Sequence, residues 1–320
     1  MRVWGLASIV VLGFAAAATA EPLDFKYVAV EAKWIVHVDV DAMRAATLPQ
    51  EIFKKVVAAH KDVEDHLAKL QKETGMDLRK DLHSVTLAGP KLGDKMAILV
   101  VHADVDQKML QEKVKKAPDF KSETYGSYEL YSFTKKEHGH SVPVTGTFWK
   151  PNVMVFGPSP EAVKLVVDAM DGKRATLAGT TSALTAAIPA GATVVARGVE
   201  IGDSSLPFKS PLVKEMDSLS LTTGESNGES FVAAKLVTKS AEVAQQISKV
   251  MEGARAMGLL RFNDDADAQK IINRWNVTVT DKTVEVAFRA PASDVLTHLE
   301  KVVKHMAEMH KHFKHGEKKK

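Results

Sequence analysis

Two runs of one pattern stand out for the chemistry they would support: His37-Val38-Asp39-Val40-Asp41 and His102-Ala103-Asp104-Val105-Asp106. Neutral imidazole and carboxylate oxygen are ligands for zinc and other first-row divalent ions. Side chains two apart on a strand share a face, so each run presents its histidine and carboxylates together. If the two strands are neighbours, His37, Asp39, His102 and Asp104 converge within ligand reach. Two imidazoles, carboxylate and an open coordination position would suit a metal-dependent hydrolase, with zinc as the implied cofactor. A structural role competes with that reading. Asp41 and Asp106 immediately precede helical stretches, where an aspartate accepts backbone N–H bonds as an N-cap. A histidine on a sheet face pointing away from the helices needs no ligand to explain it, and no such set recurs in the second half of the chain.

A second candidate lies near the C-terminus. Val295, Leu299, Val302, Met306, Met309 and Phe313 recur at spacings of three and four. They form an apolar seam for internal packing, for self-association or for an unidentified protein partner. His298, His305 and His312 recur every seven residues beside it, with Glu308 between the last two. Residues three and four apart on a helix are neighbours, so Glu308 reaches His305 and His312 together, as a weak zinc, nickel or copper site. The competing reading is a solvated helix end whose Lys and His side chains favour the negative pole of the helix dipole.

Other chemical signatures are missing. There is no Gly-x-Ser-x-Gly elbow, P-loop, His-Glu-x-x-His or Gly-x-Gly-x-x-Gly, and no cysteine at all. The missing thiol excludes a disulfide framework, thiolate metal sites, Cys-x-x-Cys-His haem attachment, lipobox acylation and a cysteine nucleophile. Tyr125, Tyr128, Tyr131 and Phe133 cluster near one strand, where core or cross-strand packing is a commoner role than a ligand platform. No motif of enforced geometry is present, so binding is favoured over catalysis.

These residues sit on elements that repeat. Trp34-Ile35-Val36-His37-Val38-Asp39-Val40 alternates as a strand, and so does Thr193 to Val199. Ser84 to Leu87 leads to a strand over Ala97 to Val101, echoed by Ser218 to Leu221 and Phe231 to Ala234. Helices follow at Asp106 to Lys116 and Ser240 to Met257, then a strand, a proline-marked turn and a helix close each half. The expected fold is α+β: two related repeats, 21–172 and 181–320, each a mixed or antiparallel sheet covered by helices, with a long C-terminal helix. The shared order begins as the split β-α-β, ferredoxin-like plan, in which the first and third strands lie side by side and parallel. The first half adds one long helix from about Pro49 to Thr74, whose Ile52, Val56, Ala59, Val63, Leu67 and Leu70 make an apolar face. The stretch Trp34-Ile-Val-His-Val-Asp-Val-Asp-Ala-Met-Arg44 resembles the amino-terminal strand of uncharacterised exported bacterial proteins built from tandem α+β repeats. That resemblance covers the first half well and the second loosely, and implies no particular activity.

The address is written ahead of the repeats. Arg2, the apolar run Val3 to Phe14 and the small residues ending Ala18-Thr19-Ala20 make a signal peptide over 1–20, cut before Glu21. The apolar run is shorter than the roughly 20 residues of a membrane span, and no later stretch reaches that length. The expected location is therefore periplasmic or secreted, with no transmembrane segment. Lys and Arg number 43 against 40 Asp and Glu, a balance that is no nucleic-acid footprint. An exported binding or scaffold protein is the first expectation. A metal-binding protein using the C-terminal histidines, or a hydrolase using the strand pair, are the alternatives.

Overall fold

The computed structural model describes residues 22–92, 96–137, 140–203 and 211–303. Strand β1 (Trp34–Asp39) leads into α1 (Val40–Ala45), α2 (Thr47–Ala59) and α3 (Lys61–Thr74), then β2 (Leu82–Gly89) and β3 (Ile98–Ala103). Next come α4 (Gln107–Val114), β4 (Lys121–Tyr125), β5 (Tyr128–Glu137), β6 (His140–Lys150), β7 (Val153–Gly157) and α5 (Pro160–Met170). The second half runs β8 (Ala192–Val199), α6 (Pro211–Lys214), β9 (Met216–Ser226), β10 (Glu229–Thr238) and α7 (Ala241–Arg261). It closes with α8 (Ala266–Ile272), β11 (Asn276–Thr280), β12 (Thr283–Pro291) and a helix α9 described over 292–303.

Local chemistry starts and ends these elements where the residue types require it. Asp39, Asp106, Ser159 and Ser240 each accept a backbone N–H from the first turn that follows, and Pro160 occupies the start of α5, where its missing N–H costs nothing. The β9–β10 hairpin turns on Asn227 and Gly228, both at positive φ (54° and 75°), the pair a tight primed turn demands.

Among the described residues the strands form one twelve-stranded sheet, in the order β11-β12-β10-β9-β8-β1-β2-β3-β7-β6-β5-β4, antiparallel at every pairing. The fold is α+β as expected, but the two halves share a single continuous sheet, joined where β1 pairs with β8 from Trp34↔Gly198 to Val38↔Val194. Of the mixed or antiparallel sheet expected, the antiparallel one is found, and the ferredoxin-like pairing of the first and third strands is corrected. The strand between β1 and β3 is β2, hydrogen-bonded to both, so the expected parallel contact of β1 with β3 does not form. The α1–α3 excursion returns the chain as the antiparallel neighbour of β1, and a parallel neighbour would need a crossover to the other end.

Residues paired across strands share a face. On one face Ile98, Val100, Val153 and Val155 pack under Val163, Val166 and Val167 of α5. Toward the centre of the same face Ile35 and Val195 meet Val28, Leu177 and Leu184 from the two connecting segments. On the other face Val38 packs with Phe53 of α2 and Leu67 of α3, and Val284 and Val286 meet Ala244 and Ile247 of α7. The long helix expected over 49–74 is two. The chain breaks at His60, whose φ of −130° and ψ of 89° are not helical. Phe53 and Val57 bury on α2, and Val63, Leu67 and Leu70 on α3. Each helix turns its own apolar set toward the sheet. No helix among the described residues is long and apolar enough to cross a membrane.

Candidate ligand cavity and its polar surroundings

The pairing of β1, β2 and β3 assembles a buried polar row that motif reading alone does not compose. Asp39 stands opposite Ser84, and Ser84 opposite His102. Two residues along, His37 stands opposite Thr86. All five are buried, and a buried polar group requires partners. His37 Nδ1 lies 2.8 Å from Thr86 Oγ1, and the Asp39 carboxylate accepts the Ala42 N–H at 2.7 Å, capping α1. The ring of Tyr27 meets that of His102 edge-on, with centroids 5.0 Å apart.

His37, Asp39 and His102 lie in this row, and Asp104 follows the end of β3. His37 and His102 are two strands apart and offset along them, and at about 4.8 Å per strand the lateral separation alone is roughly 10 Å. No group of three or more His, Cys, Asp or Glu side chains placed to hold a metal ion is found among the described residues. Asp104 instead meets His83, whose Nε2 lies 3.2 Å from its carboxylate. The other ring nitrogen of His83 lies 2.9 Å from Asp41, which is ion-paired with buried Arg44. Arg44 also donates to the carbonyls of Leu82 and Arg79, and burial pushes its guanidinium down from its ordinary value against the pull of Asp39 and Asp81. Sequence reading missed His83. It sits at a register shift between Leu82 and Ser84 that carries no signature in residue type. His305, Glu308 and His312 lie outside the described residues.

Beside the polar row, between β2, β3, α5 and residues 27–32, lies a cavity of about 310 Å³. Its walls are apolar: Val28 and Ala32 from the N-terminal segment, Ala88, Ile98 and Val100 from the sheet, and Ala162, Leu165 and Val166 from α5. α5 packs closely on the sheet beside it. A Cβ on Gly157 would stand 2.7 Å from Ile98 Cδ1 and 3.1 Å from Val163 Cγ2. The N-terminal wall is pinned by the Leu177 N–H to the Val28 carbonyl at 2.9 Å. Two hydroxyl-bearing side chains, Tyr27 and Thr86, reach the cavity from the polar row. Its charged lining residues are Glu31 and Arg174, both partly exposed and paired at 2.6 Å. A backbone N–H and then Arg174 hold the Glu31 carboxyl below its ordinary value, outweighing burial.

A shallower hollow of about 460 Å³ lies near the ends of β5 and β6, lined by Tyr128, Tyr131, Phe148, Trp149, Gln107 and Gln111 among others. Tyr128 and Trp149 both donate to one oxygen of Asp171, at 2.6 and 2.8 Å, and Lys173 to the other at 2.9 Å. Tyr125 donates to Asp168 at 2.7 Å. These aromatic side chains therefore bond the C-terminal end of α5 to the sheet.

No family model and no curated protein matches the chain. Among solved structures it is similar to TP0453 in crystal forms III, I and IV, at 11% identity in each. The TM-scores are 0.42, 0.40 and 0.41, over 88%, 89% and 88% of this chain and 99%, 98% and 97% of the other.

Proposed function

We propose that this chain is a non-enzymatic, exported binding protein that holds a small apolar molecule in the cavity beneath α5. The observation that carries the reading is the lining itself. Aliphatic side chains surround a space within the roughly 300–1,000 Å³ range of ligand pockets, and the polar groups are confined to one wall and the rim. Such a site supplies apolar contact and orientation. The signal sequence supports export. The equivalent strand orders outward from the centre, β1-β2-β3-β7-β6 and β8-β9-β10-β12-β11, support the reading of two related repeats.

The test is titration of the mature chain with N-phenyl-1-naphthylamine, a neutral apolar fluorophore. Saturable enhancement is expected in the wild type and is lost in Ala88→Phe, which fills the cavity from β2. Thermal melting of the variant checks that its fold persists. Enhancement undiminished in a folded Ala88→Phe protein would place the dye elsewhere and defeat the proposal.

A further inference from the structure

We infer that the ligand of this cavity is a single-chain amphiphile with a monoanionic head, whose carboxylate takes Arg174 over from Glu31. This rests on the cavity reading and adds the ligand's class and orientation. The aliphatic walls accept a hydrocarbon tail, and a volume at the small end of the pocket range admits one short chain rather than a multi-chain lipid. Polar groups stay where water reaches them, so the head lies at the rim, where the side chains of Glu31 and Arg174 are 51% and 41% exposed.

The sign of the head follows from how the two rim residues are bonded. A backbone N–H as well as Arg174 favours Glu31 as an anion, so the carboxylate keeps that bond when the guanidinium leaves. Arg174 meets Glu31 through Nη2 alone, and a guanidinium presents five donors in a planar fork that matches a carboxylate bidentately. An arriving carboxylate therefore gains a better partner, whereas an arriving cation would compete for a carboxylate already bonded. The charge is limited to one. The neighbouring Lys33 is paired with Glu200 and Lys173 with Asp171, leaving Arg174 as the cation of the lining.

The probes are decanoate, decanol and decyltrimethylammonium, each displacing N-phenyl-1-naphthylamine from the full mature chain at neutral pH. Decanoate is expected to bind about tenfold tighter than decanol, the scale of one charge-assisted hydrogen bond, and the ammonium compound weakest. Arg174→Ala should erase the preference for decanoate over decanol, and Glu31→Gln should tighten decanoate. Equal affinities for decanoate and decanol, or a preference that survives Arg174→Ala, would overturn the head-group assignment and leave the cavity reading standing. Failure of all three to displace the dye would overturn both.

Discussion

His83 Nδ1 lies 2.9 Å from a carboxylate oxygen of Asp41, and through this contact the strand β2 is fastened to the first turn after β1. Asp41 is 2% exposed and has two side-chain partners, the Arg44 guanidinium and the His83 ring. Removing either partner leaves a buried carboxylate short of a bond. His83→Leu is expected to lower stability by about 1–3 kcal/mol, the cost of an unsatisfied buried acceptor. Arg44→Met should cost more, about 3–5 kcal/mol, because it strands an uncompensated buried charge. Urea denaturation of the two variants checks the ranking. A His83→Leu loss equal to or above that of Arg44→Met would mean the imidazole, not the guanidinium, balances Asp41.

That contact also marks the limit of what was legible in the residues. Caps at Asp39, Asp106, Ser159 and Ser240, the alternating strands and the α+β order are local, and type and spacing report them. Neighbour relations across the sheet are not local. Whether β1 touches β2 or β3 depends on which end of the sheet the α1–α3 excursion returns to, and the excursion reads equally well either way. The histidines that looked like ligands, His37 and His102, went to a buried polar row. The one that meets Asp41 and Asp104 is His83, placed by a register shift that no residue type announces. The cavity was invisible for the same reason, since its walls come from four separate stretches of chain.

Asp171 carries an acid-sensitive contribution. Burial alone would raise its carboxyl, but bonds from Tyr128, Trp149 and Lys173 outweigh this and hold it below its ordinary value. A carboxyl depressed in the folded state adds stability that is full above its unfolded value, about 3.9 for aspartate, and lost as pH falls through the folded value. Asp171→Asn should therefore be less stable than the wild type by about 1–2 kcal/mol at neutral pH, with the gap closing toward acid. Thermal melts from pH 7 to pH 3 read this directly. A gap that widens on acidification would reverse the assignment.

Arg197 is a buried arginine held by carbonyls rather than by a carboxylate. It donates to Leu184 at 2.8 Å, Ala186 at 2.6 Å and Ala187 at 3.1 Å, fastening the segment between the halves onto β8. Burial pushes its guanidinium down from its ordinary value. Arg197→Met keeps much of the volume but frees three acceptors, and should cost about 2–4 kcal/mol. Limited proteolysis of the variant should open near residues 182–187. Cleavage confined to other segments would show that the apolar contacts of Leu184 hold this stretch unaided.

Glu225, at the end of β9, reaches across the centre of the sheet to the start of α2. Its two carboxylate oxygens accept the N–H groups of Thr47 and Leu48 at 2.9 and 3.0 Å. Ala46, at the N-cap position, makes no side-chain cap bond, so a residue of the second half supplies what α2 lacks in its own sequence. An anion at a helix N-terminus also meets the positive pole of the dipole. Glu225→Ala should lower stability by about 1 kcal/mol and speed amide exchange at the first turn of α2. Together with the β1–β8 pairing, the contact couples the halves, so fluorescence of Trp149 in the first half and Trp275 in the second should report one urea transition. Two separated midpoints would mean the halves unfold independently despite the shared sheet.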